Sequence, residues 1–438
     1  MPNTPTTPPA AATATATIKG SPARGLAAAA FGFFFGTSAL SLLGPSIKNL
    51  NMDLTPVAAA LLVAIPTLSG SLLRIPFGAS VDANGGRKPF LLLMGLSVVG
   101  LIGLSILLTA RYPDKLDGTY GYFLLFGCLS GCGVATFSVG AGQSSYWYPK
   151  SKSGFVIGVF AGFGTLGAGV FAILLPQFIK AVGFTGAYYI LAACILIATA
   201  IYFLIGCNAW YFQYREKGLD AEESRRMALA RGQELFPAGN TKQSLLLSAK
   251  TPETWILVIA YFVTFGGFLA LVVWLPTYWQ KAHDFSSAKA GLYTGVYGCL
   301  AALLRIPGGR LADKLGGLKV SMFSIILLGV ITVVMAFSSH WMLSGICTLA
   351  IALAFGFGNA SIMKLVPVYI SKSVGGASGW VGGLGAFGGF VIPLVMGKIA
   401  GDMGLAGYAR GFLTFTVLSV IVLLTLYFGL VVRKRNNQ

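Results

Sequence analysis

Charged residues are scarce in this sequence: only 10% of its 438 residues are Asp, Glu, Lys or Arg. Soluble domains carry about 25% charged residues, so this composition excludes a soluble globular enzyme. Disordered chains combine low hydrophobicity with high charge, and the 55% of hydrophobic residues excludes that class too. The 58 glycines are about twice the usual share of ~7%, which is typical of closely packed helices in a membrane.

Acids, histidines and paired cysteines are also few. There are 13 Asp and Glu against 31 Lys and Arg, which gives a net charge of +18. Charges this sparse do not form the basic surface that binds nucleic acid, so we expect no nucleic-acid partner. The two histidines form no metal-binding motif with the six cysteines, and no CxxC motif occurs. We therefore expect no metal site and no cofactor, and we interpret the cysteines as small buried hydrophobic residues.

What the sequence does contain is twelve long apolar segments, each near the ~20 residues that a membrane-spanning helix requires. Six precede and six follow a polar insert at 208–252, of which the part near 216–235 is typical of a charged surface helix. The approximate predicted spans are 25–47, 57–81, 90–110, 120–147, 154–180, 186–206, 254–279, 290–310, 320–338, 342–368, 376–400 and 411–432.

The basic residues of the loops indicate the orientation. One side carries 20 of them and the other side eight, with three left inside spans. Since the richer side faces the cytoplasm, both termini and the insert are expected there. The predicted organisation is a disordered cytoplasmic tail (1–20), an N-terminal six-helix half (21–207), a cytoplasmic linker (208–252), a C-terminal six-helix half (253–432) and a basic cytoplasmic tail (433–438).

The two halves repeat one another. Leu72-Leu73-Arg74-Ile75-Pro76 recurs as Leu303-Leu304-Arg305-Ile306-Pro307, and Asp82 and Asp313 each follow their arginine by eight residues. Six spans duplicated in the same orientation are the parallel halves of a major facilitator type transporter. The predicted fold class is therefore an all-α membrane protein with twelve transmembrane helices in two pseudo-symmetric six-helix halves.

Two glycine runs also repeat, Gly162-x-Gly164-x-x-Gly167 and Gly383-x-Gly385-x-x-Gly388. They match a dinucleotide-binding pattern, but each lies inside an apolar helix with no preceding strand, so we reject nucleotide binding. Three spacings of four residues predict close helix crossings instead: Gly158 to Gly162, Gly379 to Gly383 and Gly385 to Gly389.

The charges inside the spans are all positive. Every acid falls in a loop or at a span end, whereas Arg74, Arg305 and Lys364 are embedded. The arginines occupy matching positions in the second and eighth spans, so we expect them to meet between the halves near mid-membrane. An unpaired buried charge is strongly unfavourable, and the simplest missing partner is an anionic substrate whose planar oxyanion matches the guanidinium. Alternatively, each arginine reaches the cytoplasmic face or binds local carbonyl groups. Lys364 lies near a cytoplasmic span end, and both interpretations stay open for it.

These motifs together resemble the nitrate/nitrite porter family of the major facilitator superfamily, over nearly all twelve spans. The matching stretches are Arg74-Ile75-Pro76, Asp82-x-x-Gly85-Gly86-Arg87-Lys88, Phe137 twelve residues before Pro149-Lys150, Ala161 to Gly167, Arg305-Ile306-Pro307, Gly358-Asn359, Lys364 to Pro367, and Gly382 to Pro393.

The resemblance implies that Arg74 and Arg305 hold nitrate or nitrite between the halves and that Phe137, Tyr261 and Phe265 sandwich the planar anion. The further substrate-binding candidates that it implies are Thr165, Gly164, Gly385, Asn359 and Lys364. The residues that it assigns to a cytoplasmic gating motif are Asp82, Gly85, Arg87, Asp313 and Gly316. Two positions depart from the family pattern: Thr165 stands where Asn is usual, and Ala83 stands where a basic residue is usual.

We expect an alternating-access carrier of nitrate and/or nitrite in the cytoplasmic membrane, acting as a monomer. An anion between the arginines offsets their repulsion and permits closure, which favours nitrate/nitrite exchange. The alternatives are nitrate/proton symport, exchange of a small carboxylate such as oxalate or formate, and a passive anion channel or a non-transporting sensor. An enzyme is not expected, because the spans hold no acid/base pair, no nucleophile with a base and no metal cluster.

Overall fold

The computed structural model describes residues 18–432, except 48, 51, 114–115, 117, 150–152, 238–240 and 371–373. All regular secondary structure within these residues is helical, which confirms the predicted all-α class. Of the two predicted tails, 433–438 lies outside the described residues, as does 1–20 apart from its last three residues.

The first half contains six spans. The first four are Pro22–Ser46, Pro56–Asn84, Arg87–Arg111 and Tyr120–Trp147. The fifth and sixth form one helical segment, Ser153–Ile205, which bends at Gly183, where φ is 79°. Glycine adopts this left-handed conformation without the steric cost that a side chain adds.

The second half repeats this order. Its seventh span is Pro252–Ala282, and its eighth is Ser287–Leu303 continued by Arg305–Leu315. The ninth to twelfth spans are Gly317–Phe337, Trp341–Tyr369, Val374–Ala386 continued by Gly388–Met403, and Leu405–Val432. Ten helical segments of the described chain are long and apolar enough to cross a membrane; the joined fifth and sixth spans count once among them, and the charged eighth is not among them.

The repeat extends to the starts of the helices. Thr55 caps the second span by accepting a hydrogen bond from the Ala58 amide at 3.2 Å, and Ser286 caps the eighth by accepting one from Lys289 at 3.3 Å. Side-chain oxygens at this position satisfy amides that have no partner within the helix. The matching caps start the two arginine-bearing spans at equivalent points.

The linker contains three short helices, Trp210–Glu216, Ala221–Ala230 and Thr241–Ala249. It follows the end of the sixth span, which also meets the starts of the first and third spans: Arg24 Nε donates to the Ile205 carbonyl at 2.9 Å, and Arg87 Nε donates to that of Gly206 at 2.8 Å. We call this face of the molecule the linker side and the opposite face the far side.

On the far side the two halves pack backbone against backbone. A Cβ atom added at Gly169 of the fifth span lies 2.7 Å from the backbone nitrogen of Cys299 in the eighth. A Cβ at Gly397 of the eleventh span lies 2.4 Å from that of Ala60 in the second. Contacts this close leave no passage between these spans on the far side.

Toward the linker side the fifth and eighth spans diverge. Gly162 and Gly158 lie two and three turns before Gly169 on the same face of the fifth span, and a Cβ at either meets nothing within 4 Å. The prediction of a close helix crossing at this pair is therefore wrong. On the eighth span, Ile306 is 50% exposed. The fifth and eighth spans therefore separate from about mid-span toward the linker side.

Candidate functional site

Arg74 begins the helix Arg74–Asn84, directly after Leu73, the residue that separates it from the helix Pro56–Leu72 in the second span. Its side chain is fully buried. Nη1 and Nη2 donate to the carbonyl oxygens of Gly382 and Val134, both at a long 3.4 Å, and the buried Nε has no hydrogen-bond partner. Since hydrogen bonds at this distance are weak, the guanidinium keeps much of its donor capacity.

Arg305 has the equivalent position at the break of the eighth span. It is partly buried, and its Nε and Nη2 atoms are shielded from solvent without a hydrogen-bond partner. Within the described ranges, neither arginine forms an ion pair with a carboxylate; the ion pair found there joins Lys364 and Asp313. Two cations with N–H groups shielded from solvent thus lack the counter-charge that such groups require.

One aromatic ring joins the two arginines. The guanidinium carbons of Arg74 and Arg305 each lie 5.0 Å from the centroid of the Phe265 ring. Phe265 belongs to a π-helical turn, Phe262–Gly266, inside the seventh span. Such turns often mark functional sites because the extra residue re-aims the side chains around it.

Two further aromatic candidates complete this cluster. Phe137 lies under Arg74, with 4.7 Å between the guanidinium carbon and the ring centroid, and its centroid is 5.9 Å from that of Phe265. Tyr261 stacks on Phe265 at 5.0 Å. Gly385 supports Tyr261 from the eleventh span, because a Cβ there lies 2.7 Å from Tyr261 Cδ1.

Several groups of this site are not among the residues predicted from the sequence. Phe268 lies under Arg305 at 5.4 Å, and its carbonyl accepts a hydrogen bond from the Tyr297 hydroxyl at 3.2 Å. The buried hydroxyl of Thr264, inside the π-helical turn, has no partner. The spacing of three residues from Phe265 to Phe268 was a usable signal, because such residues share one helix face.

Three other candidates lie on neighbouring helices. Asn359 is buried, and both polar atoms of its amide are without a hydrogen-bond partner, so it offers a donor and an acceptor. Thr165 is buried and donates its hydroxyl to the Ala161 carbonyl at 2.6 Å. Gly164 packs against the first span: a Cβ there lies 2.0 Å from the Phe33 ring, and its carbonyl accepts from Thr37.

The interpretation of Lys364 as an embedded cation without a protein partner is wrong. Its ammonium forms an ion pair with Asp313, and both side chains are partly or largely exposed. The physical reason is that Asp313 lies about 12 Å beyond Arg305 along the eighth span, at the linker side, where the end of the tenth span lies beside it. Lys364 is neutralised there and does not share the environment of the arginines.

The gating-motif residues of the N-terminal half lie at the linker side. Asp82 accepts a hydrogen bond from the Tyr146 hydroxyl at 2.6 Å, and Arg87 donates to the Phe203 carbonyl at 2.7 Å. Gly85 and Gly316 occupy matching turns with φ of 75° and 91°, a region that favours glycine. These contacts hold the spans of one half together.

Comparison with known proteins agrees with this architecture. A model of the Major Facilitator Superfamily matches residues 26–393 and 281–438. The xylose transporter XylE from E. coli, in a partially occluded inward open conformation, superposes with a TM-score of 0.70 at 13% identity, covering 94% of this chain and all of that one. The protein is therefore a multi-pass membrane transporter and, as expected, not an enzyme.

Closer relatives narrow the family. The Nitrite extrusion protein of Bacillus subtilis (strain 168) is 30% identical over 86% of each chain. The "Probable nitrate transporter NarT" of Staphylococcus haemolyticus (strain JCSC1435) is 30% identical over 89% of this chain and 92% of its own. The "Probable nitrate/nitrite transporter NarK2" of Mycobacterium tuberculosis (strain CDC 1551 / Oshkosh) is 30% identical over 82% of this chain and 84% of its own. The chain belongs to the nitrate/nitrite porter family of the Major Facilitator Superfamily, which confirms the resemblance seen in its motifs.

Proposed function

We propose that this transporter moves nitrate and/or nitrite by alternating access, with the anion held between Arg74 and Arg305. One observation carries the proposal: two guanidinium groups share the Phe265 ring, have N–H donors without partners, and form no ion pair with a carboxylate of the described chain. A planar oxyanion supplies both the missing negative charge and the missing acceptors. The names of the relatives support the same substrates.

The conformation supports a carrier mechanism. The halves are in close contact on the far side, for example at Gly169 and Cys299, and the fifth and eighth spans separate toward the linker side beside Gly162 and Ile306. We assign the linker side to the cytoplasm because it carries most of the basic loop residues, and we place the protein in the cell membrane with both termini cytoplasmic. In this assignment the site opens to the cytoplasm.

The electrostatics favour exchange. Two like charges around one ring repel one another, and closing the halves around an empty site increases that repulsion. A bound anion offsets it, so the loaded carrier rocks between its two states more easily than the empty one. Exchange of nitrate for nitrite follows from this difference. A proton symport needs a titratable group, and every acid of this sequence lies in a loop or at a span end.

Counterflow in proteoliposomes tests the proposal. We expect uptake of labelled nitrate to be accelerated at least tenfold when the vesicles contain unlabelled nitrite rather than only chloride, because the return step then carries an anion. The control uses vesicles without protein. Equal uptake from both kinds of vesicle contradicts obligatory exchange. Uptake that is equal in both and stops once the nitrate gradient has collapsed identifies a channel.

Thr165 favours a second candidate, exchange of a small planar carboxylate such as oxalate or formate. Its hydroxyl hydrogen is committed to the Ala161 carbonyl, so the side chain offers an anion no donor. The family's usual Asn has an amide that can donate. The same vesicles, loaded with oxalate or formate, distinguish the substrates, and faster counterflow with a carboxylate than with nitrite supports this alternative.

Replacing Thr165 by Asn is expected to tighten nitrate binding. The added amide donor is worth about 1 kcal/mol, so we expect the Kd to fall about fivefold. Calorimetric titration of the purified variant measures it, and Thr165→Ser, which retains a hydroxyl, is the matched control with an unchanged Kd. A Kd that rises in Thr165→Asn removes this position from the substrate site.

A further inference from the structure

Four basic side chains converge where the sixth span ends at the linker side. Lys19, Arg24, Arg87 and Lys88 line a cavity of about 460 Å³ there. Among the described residues, Glu216 is the one carboxylate that lines it, and its Oε1 accepts a hydrogen bond from Asn208 at 3.0 Å. The cavity therefore carries an excess of three positive charges.

The fold accounts for the two arginines. Arg24 donates to the carbonyl oxygens of Leu204 and Ile205, and Arg87 donates to those of Phe203 and Gly206. The last four carbonyl groups of a helix have no partner within it, and cations favour that end of the helix dipole. Both guanidinium groups thus stabilise the end of the sixth span.

The fold does not account for the two lysines. Both are exposed, and neither ammonium group forms a hydrogen bond or an ion pair with any described residue. The internal repeat supplies a comparison: Gly85-Gly86-Arg87-Lys88 corresponds to Gly316-Gly317-Leu318-Lys319, which keeps the lysine but has an apolar residue in place of the arginine. The pairing of an arginine with a lysine at this turn is therefore no requirement of the repeated fold.

The surroundings of the cavity are those of a membrane interface. Leu204 also lines it and is 72% exposed, and the neighbouring Phe203 is 57% exposed. Large apolar side chains this exposed at the end of a spanning helix face lipid acyl chains. A headgroup in the cavity has its chains beside these two residues. Basic pockets between spans at the cytoplasmic interface are the kind of site that binds anionic lipid headgroups.

We propose that this cavity binds the headgroup of an anionic phospholipid, with the phosphodiester held by the Lys19 and Lys88 ammonium groups and the edges of the two guanidiniums. The bound lipid joins Lys19 to the starts of the first and third spans, beside the end of the sixth span. The proposal is independent of the transported substrate, because the cavity lies outside the arginine site between the halves.

The test titrates purified, delipidated full-length protein with phosphatidylglycerol and measures the bound lipid by native mass spectrometry. In the double variant Lys19→Gln with Lys88→Gln we expect a Kd about 30-fold higher, since each lysine near an anionic surface contributes about a fivefold change. The matched control is Lys314→Gln with Lys319→Gln, which removes the same charge on the linker side of the other half, and we expect its Kd within twofold of the unmodified chain. Thermal unfolding checks that both variants fold.

Three results overturn the proposal. An unchanged Kd in the first double variant removes the two lysines from the site. Equal weakening in both double variants shows that lipid responds to diffuse surface charge. Inorganic phosphate that displaces phosphatidylglycerol at equal concentration identifies a soluble anion as the ligand. Nitrate counterflow is read separately, so its failure leaves the lipid result intact.

Discussion

Arg74→Lys and Arg305→Lys are each expected to weaken nitrate binding at least 30-fold and to reduce counterflow to background. Lysine keeps the positive charge, but it loses the planar fork that donates two parallel hydrogen bonds to an oxyanion. A hydrogen bond to a charged group contributes about 1.5–3 kcal/mol, and about 2 kcal/mol corresponds to a 30-fold change in Kd. At position 74 the lysine ammonium also cannot replace both guanidinium hydrogen bonds, which join the Gly382 and Val134 carbonyl groups.

The matched control for this experiment is Arg310→Lys. Arg310 lies on the same helix as Arg305, five residues closer to the linker side, and it is exposed. We expect its Kd and counterflow to remain within twofold of the unmodified protein. Binding to purified protein and the amount of protein in the membrane are measured together, so that misfolding is separated from a loss of affinity. Unmodified transport in either site variant removes that arginine from the substrate site.

Phe265→Leu is expected to have the second largest effect, a Kd for nitrate raised about 30-fold. The substitution keeps an apolar side chain of similar size, so the packing cost is small. It removes the ring face on which both guanidinium groups lie at 5.0 Å. A desolvated cation–π contact contributes up to about 2 kcal/mol. Without the ring, the two cations lose the common surface that orients them toward one anion.

Phe268→Leu is the matched control. Of the two arginines, the Phe268 ring contacts only Arg305, at 5.4 Å. We expect its Kd to rise about fivefold, clearly less than that of Phe265→Leu. Titration calorimetry of the two purified variants makes the comparison. Equal effects at the two positions contradict the assignment of Phe265 as the shared ring, and no effect at either indicates that the rings only fill space.

Much of the site was predictable because it rests on an internal repeat. Arg74 and Arg305 were recognisable as a pair from matching pentapeptides, and the pseudo-symmetry of the halves predicted that they would meet. The sequence did not contain a comparable signal for the carbonyl groups of Val134 and Gly382. Every residue has a backbone carbonyl group, so no sequence motif indicates which of them lie at the site.

Lys364 illustrates the opposite case. In the sequence it is a cation within an apolar segment, like the two arginines, and its distance from the membrane surface was uncertain by a turn or two. The ion pair with Asp313 joins residues on the tenth and eighth spans. Whether such residues meet depends on the crossing of two helices and on the depth of each, which local sequence does not specify.

The sequence by itself determined the all-helical membrane fold, its duplication and the sign of the embedded charges, because apolar length, repetition and composition are properties of the linear chain. Only the tertiary structure decided that two arginines share the Phe265 ring, that Lys364 is neutralised, and that four basic residues line one cavity beside the sixth span. Each of these depends on distances between segments far apart in the chain, and such distances are set by how helices pack against one another.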